Sequence, residues 1–491
     1  MSASPANPSL YQVNTRVLLR GISDRLERQA TFDDIPDEAL AALGALGFDW
    51  VWMLGVWRTG EAGRAISRAD PAWREQFAAA LPDLDERDIV GSPFSIAAYE
   101  AEPAFGGDAA LARLRERLRD HGIRLMLDFV PNHVSPGHPW VRERPELLMR
   151  GTADDLAARP SDWCRIGDTV FAHGRDPYFP GWQDTIQLDY SEPATRAAMT
   201  ETLLGAASHC DGLRCDVSML LLPDVFERTW AGHLDGRTMA PFWPDATAAL
   251  RAAHPGFTLL AEVYWGLEGR MIEAGFDLAY DKSLYDALRD EDAGAVRRAL
   301  SADQGWQHRL ARFLENHDEK RAMTAFGWPK GRAAALLTFL SPGLRFFHQG
   351  QFEGLRTHIP IHLDRGPVED VDDAVFAFYR TLCSALADDV LRNGRYEPLL
   401  PQPAWDGNPS HGRFVAALWR SEDDARFLLV VNLAPTRGQA RLRFAAGEGS
   451  LRLSDRFGNE NYRRDRGEIA RGGLFVDLPP WGGNLFALEP G

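Results

Sequence analysis

The sequence predicts a parallel α/β fold closed into an eight-stranded (β/α)8 TIM barrel, carrying a short inserted domain after the third strand and a C-terminal antiparallel β domain. Three observations predict it. Short β-branched or aromatic runs alternate with longer Ala/Leu/Arg-rich helical stretches over most of the 491 residues, which is the pattern of a parallel sheet covered by helices. Eight such runs can be counted, enough to close a sheet on itself. Neither a GxGxxG fingerprint nor a P-loop is present, as an open doubly wound sheet would usually require.

Taken in order, the strands are expected around Tyr11–Leu19, Trp50–Trp57, Arg124–Val130, Gly212–Val217, Phe257–Val263, Phe276–Tyr280, Arg312–Glu315 and Leu344–His348. Helices are expected at Asp37–Leu46, Ala109–His121, Glu192–Ser208, Ala246–His254, Ala295–Ser301 and Gly331–Leu340, several of them stopped by His-Gly or Gly. From Val134 to about Thr185 the chain is rich in Pro, Gly, Arg and Asp, and we read an insertion over the barrel top. From roughly Arg392 helices vanish and strand-like runs follow at Arg413–Trp419, Arg426–Asn432, Gln439–Phe444, Leu451–Leu453 and Gly473–Leu478. The expected organisation is therefore a barrel over 1–390, interrupted at 134–186, and a β-sandwich over 391–491.

Composition removes several function classes. The formal charge is −16, and no basic stripe offsets it, which argues against a nucleic-acid partner. Lysine is confined to Lys282, Lys320 and Lys330. No apolar run is long enough to span a bilayer, and MSASPANPSLYQVNT lacks the basic and apolar regions of a secretory signal. Cys164, Cys210, Cys215 and Cys383 do not form a disulfide framework; Cys210 and Cys215 resemble half a metal site with no second pair, and buried free thiols are the better reading. A cytoplasmic location is expected.

Chemically capable side chains gather just past the apolar strands. The third runs into Asp128-Phe-Val-Pro-Asn132-His133, the fourth carries Arg214-Cys-Asp216, the fifth gives Ala-Glu262-Val-Tyr-Trp265 and the seventh Glu315-Asn316-His317-Asp318-Glu319. A single Asp at a strand end is more often a helix N-cap or loop anchor, and a lone His there is usually structural. Four clusters at the same end of four strands are harder to dismiss, because all barrel strands end on one face. Cleavage of a glycosidic bond needs these residue types: an acid for the leaving oxygen and a carboxylate for the developing oxocarbenium ion, about 5–5.5 Å apart in retaining enzymes. Asp216 and Glu262 lie on consecutive strands. Arg214 shares a strand face with Asp216 and is expected to keep it ionised. The apolar Val263, Tyr264 and Trp265 are expected to raise the pKa of Glu262. His133 and His317 can donate to sugar hydroxyls, and Asp318 can grip two of them.

These segments, in this order, resemble the signatures of the α-amylase superfamily of glycoside hydrolases and transglycosylases. DFVPNH is similar to its first signature, GLRCDVSML to its second, LLAEVYWG to its third and FLENHDEKR to its fourth, while QLDYSEP, GLRFFHQGQFEG and SPFSIAAYEAEPAFGG resemble further family segments. The resemblance implies Asp216 as nucleophile, Glu262 as general acid/base and Asp318 as transition-state stabiliser, with His133, Arg214 and His317 binding the cleaved sugar. Phe94 stands where the family usually places a stacking Tyr. Asp128 is expected among the substrate contacts or as a loop anchor, and Trp265 as either an acceptor-side wall or a core aromatic. In calcium-dependent members the Asn matching Asn132 is a metal ligand; here no cofactor is expected to be required and calcium is an open addition. Val217, Ser218, Met219 and Leu220 replace the Lys-His pair that follows the nucleophile in many α-amylases, so that acceptor contact is missing. The implied substrate is a malto-oligosaccharide or related α-glucoside, with hydrolysis of α-1,4 bonds as the main reading. Transfer or isomerisation, including trehalose or sucrose chemistry, is the alternative, and a non-catalytic scaffold is a third.

Overall fold

A computed structural model of the chain describes residues 5–458 and 460–491. Eight parallel strands close into a barrel in chain order: Ser9–Asn14, Trp50–Leu54, Arg124–Phe129, Gly212–Cys215, Thr258–Ala261, Leu278–Tyr280, Leu310–Arg312 and Leu344–His348. The last pairs with the first, Ser9 beside Arg345 and Gln12 beside His348. The strands are buried on both faces, as WVWML and LRFFH show, because helices cover the outside and side chains fill the inside.

Two expected strands are displaced. The first stops at Asn14, not Leu19, because the Asn14 side chain caps the helix Thr15–Leu26 by accepting from Val17 N–H. The seventh runs over Leu310–Arg312 and not Arg312–Glu315. Phe313 and Leu314 beyond it are just as buried, and a run buried throughout, Arg312 included, carries no alternation to mark where pairing ends.

A helix pair absent from the sequence reading, Glu61–Ala69 and Pro71–Ala80, follows the second strand. Asp70 separates them, its carboxylate accepting from Trp73 N–H with Pro71 at the first helical position. Phe77 of this pair joins Leu81, Ile89 and Leu363 in a small core of its own. After the third strand, His133–Val134 pairs antiparallel with Ile186–Gln187. The excursion between them carries a three-stranded sheet of Arg150–Gly151, Thr169–Ala172 and Trp163–Ile166.

The C-terminal region packs a six-stranded antiparallel sheet against a three-stranded one around a separate core. It contains strands not anticipated at Arg395–Leu399, Asn461–Asp465 and Gly483–Pro490. Helices do not vanish there: Arg466–Gly472 is helical, capped by Asp465 accepting from Glu468 N–H. Trp419 Nε1–H donates to Leu340 O at 2.8 Å and Arg297 donates to Gly412 O and Phe414 O, fastening this sheet to the barrel helices.

Candidate active site

The fourth and fifth strands pair residue for residue, Cys215 beside Ala261, so Asp216 and Glu262 emerge together at the barrel's C-terminal end. Arg214 lies fully buried beneath them. One of its terminal nitrogens is 2.5 Å from Asp216 Oδ1 and the other 2.7 Å from Glu262 Oε2. One guanidinium therefore holds both carboxylates, where the sequence suggested a partner for Asp216 alone. Its plane is steadied by the rings of Trp52, Phe94 and Tyr280, 5.2–5.7 Å away, and its Nε donates to Tyr280 Oη at 3.3 Å.

Besides this ion pair, Glu262 receives two hydrogen bonds. Val217 N–H donates to Oε2 at 2.6 Å and Tyr264 O–H to Oε1 at 2.8 Å. Val217 reaches that position with φ 35°, a left-handed conformation rare for a β-branched residue. Burial pushes the Glu262 carboxyl up to about 8; Arg214 works against that shift, while Asp216 and Asp318 reinforce it. The expected upward displacement is present, and enclosure, its largest cause, is joined by two like charges. The Trp265 ring is 42 % exposed and stands edge-to-face with Tyr178, centroids 5.1 Å apart, so Trp265 is a rim residue and not a core aromatic.

From the seventh strand's loop, Asp318 stands 3.2 Å from His317 Nε2. Enclosure raises its carboxyl above the usual range, although 41 % of the side chain remains open to solvent and water offsets much of that penalty. His317 is buried, and Gln12 of the first strand donates from Nε2 to its Nδ1 at 2.8 Å. Nδ1 is then the acceptor and the ring proton sits on Nε2, which makes no hydrogen bond within the protein. Burial and the nearby Arg214 hold His317 well below its ordinary pKa, and burial lowers His133, so both act as neutral hydrogen-bonding groups. Phe94 is buried with its ring 5.3 Å from that of His317.

The profile of the α-amylase catalytic domain matches residues 46–373. The chain belongs to the α-amylase family. Among curated proteins, α-amylase MalA of Haloarcula japonica is 25 % identical over 413 residues, covering 82 % of this chain and 52 % of its own. Trehalose-6-phosphate hydrolase of Escherichia coli is 24 % identical over 319 residues, covering 54 % of this chain and 56 % of its own. The chain thus spans about half the length of these curated relatives. Among solved structures, the maltogenic α-amylase AmyB of Thermotoga neapolitana superposes with a TM-score of 0.68 at 19 % identity, covering 99 % of both chains.

Within this α-amylase fold, Asp128 is tied to the second strand and the turn that follows it. It is buried, one carboxylate oxygen accepting from Trp52 Nε1–H at 2.9 Å and the other from Gly55 N–H at 2.8 Å. Gly55 turns there with φ 81°, and a β-carbon on it would lie 2.9 Å from Pro93. Asn132 is likewise committed: its Oδ1 accepts from Gln187 Nε2 at 3.2 Å and its Nδ2 faces His133 Nδ1 at 3.3 Å. Among the described residues no group of three His, Cys, Asp or Glu is placed to hold a metal. The residues present therefore do not fit a calcium ion at Asn132. Gln12 and Tyr280 join the site unannounced by any motif, whereas Val217 and Tyr264 lie within the second and third signatures but their hydrogen bonds to Glu262 were not foreseen.

Proposed function

We propose that this α-amylase family member is a retaining glycosidase acting on α-1,4 bonds of malto-oligosaccharides or related α-glucans. Asp216 attacks the anomeric carbon, Glu262 protonates the departing oxygen and then deprotonates the water that frees the sugar, and Asp318 with neutral His317 stabilises the charged ring. The observation that carries the reading is the shared guanidinium of Arg214, which gathers the two carboxyl groups on one cation at 2.5 and 2.7 Å. Glu262 retains its proton up to about pH 8, as an acid catalyst requires. No metal takes part in the proposed steps. The free thiols, three of them buried, support a reducing, cytoplasmic setting.

Asp216→Asn is expected to lower kcat about 10⁴-fold in a protein that still folds, with a lowered unfolding midpoint because Arg214 loses its anionic partner, and the first-formed product of the wild type should be the α-anomer by NMR. A β-anomer would exclude double displacement. The half-exposed Trp265 beside the acid, backed by Tyr178, favours a second reading in which a sugar replaces water as acceptor. With maltotriose, products longer than the substrate mark transfer and net reducing-sugar release marks hydrolysis.

A further inference from the structure

One buried charged group has no part in these steps. Asp184, where the insertion returns to the barrel, is 3 % exposed, and its Oδ2 receives no hydrogen bond. His362 Nε2 stands 3.7 Å from that oxygen, beyond hydrogen-bond reach. A carboxylate oxygen enclosed without a donor carries the full cost of its lost hydration, unless the donor arrives with a ligand. A hydroxyl seated to one side of the pair, against both atoms, would donate to Asp184 and accept from His362.

The position of the pair is set by groups already assigned to the site. Ser95, next to Phe94, donates from Oγ to the Asp184 carbonyl at 2.6 Å, and His133 feels the charges of both Asp216 and Asp184. Asp184 thus lies beside Phe94 and His133, whereas Trp265 follows the acid Glu262 in sequence. His362 is held by rings of the unforeseen helix pair, with Trp73 at 4.5 Å and Phe77 at 5.5 Å. Its carbonyl accepts from Val90 and Gly91 N–H, and Ile89 bridges Leu363. The loop after the eighth strand is stitched in this way to the excursion after the second, forming a wall beyond Phe94.

We propose that Asp184 and His362 are the closed donor end of the cleft and grip hydroxyls of a terminal non-reducing glucosyl unit, so that the enzyme works from chain ends. This rests on the reading of Asp216, Glu262 and Asp318 as the catalytic groups. The test compares maltopentaose with the same chain whose terminal 4- and 6-hydroxyls are tied in an ethylidene acetal. Wild-type kcat/KM is expected to fall at least about 100-fold on the capped chain, the loss of two charge-assisted hydrogen bonds. Equal rates on both would overturn the closed end and leave the glycosidase reading standing; no release from either would overturn both.

A second arm separates recognition from mere structure. Wild type should prefer maltotriose over its analogue lacking the terminal 4- and 6-hydroxyls by about 10- to 100-fold, and Asp184→Asn should shrink that preference to about 2-fold. A purely structural defect would slow both substrates alike and leave the ratio unchanged, which would overturn the proposal.

Discussion

Replacing Glu262 by Gln separates what the carboxyl does for catalysis from what it costs the fold. The amide fits the same contacts: its oxygen can accept from Val217 N–H and its nitrogen can donate to Tyr264 Oη, the hydroxyl turning to accept. In the wild type the folded-state pKa is raised from 4.5 to about 8. A raised pKa means the folded state holds a proton that the unfolded chain releases. The favourable contribution is therefore complete below pH 4.5, falls away as pH rises, and is gone once pH passes about 8. At 1.36 kcal/mol per unit the whole interval is worth about 5 kcal/mol, and the span from pH 5 to 8 about 4 kcal/mol. Gln carries no such dependence. Urea unfolding of both proteins from pH 5 to 9 should show the variant gaining on the wild type by about that amount, while its kcat falls by orders of magnitude. A stability gap that stays flat across this range would refute the claim that Glu262 is held protonated by its surroundings.

Two further substitutions test neighbouring assignments. In Asp128→Asn the amide nitrogen must face either the Trp52 or the Gly55 N–H, so stability should drop by about 1–3 kcal/mol in urea unfolding with KM for maltotriose unchanged; a KM raised severalfold would place Asp128 among the sugar contacts. Trp265→Ala removes a ring that is 42 % exposed, so stability should move by less than about 1 kcal/mol while the ratio of transfer to hydrolysis with maltotriose changes severalfold. An unchanged ratio would leave the ring without a role in acceptor binding.

Much of the barrel was readable because each strand is a short buried run ending in polar residues; Leu344–His348 was placed to the residue. The errors have local causes. Tyr11–Leu19 overran because apolar residues continue into the next helix, although Asn14 was a legible cap. The helix pair after the second strand was missed despite Asp70-Pro71, since its apolar face is narrow and packs on a satellite core. In the site, Asp216, Glu262, Asp318, His133, Arg214, His317 and Phe94 could be proposed because they sit in strand-end motifs. Gln12 and His362 could not: the first acts through His317, 305 residues away, and the second through a loop brought back to Asp184 across the barrel top. Asp128 was left between two roles because a carboxylate in a motif looks the same whether it meets a ligand or the backbone N–H of Gly55.

The closure of the barrel bears on how the chain reaches this state. Asn7 Oδ1 accepts from Gly343 N–H, a bond spanning 336 residues, and the first strand pairs on its other side with Trp50–Leu54. During synthesis the opening strand can join its nearer neighbour early, yet its far edge waits unpaired until the eighth strand leaves the ribosome. Pairings this distant in sequence slow folding and leave an edge open to wrong partners, so assembly of the nascent chain, more than its final stability, should limit the yield of active protein.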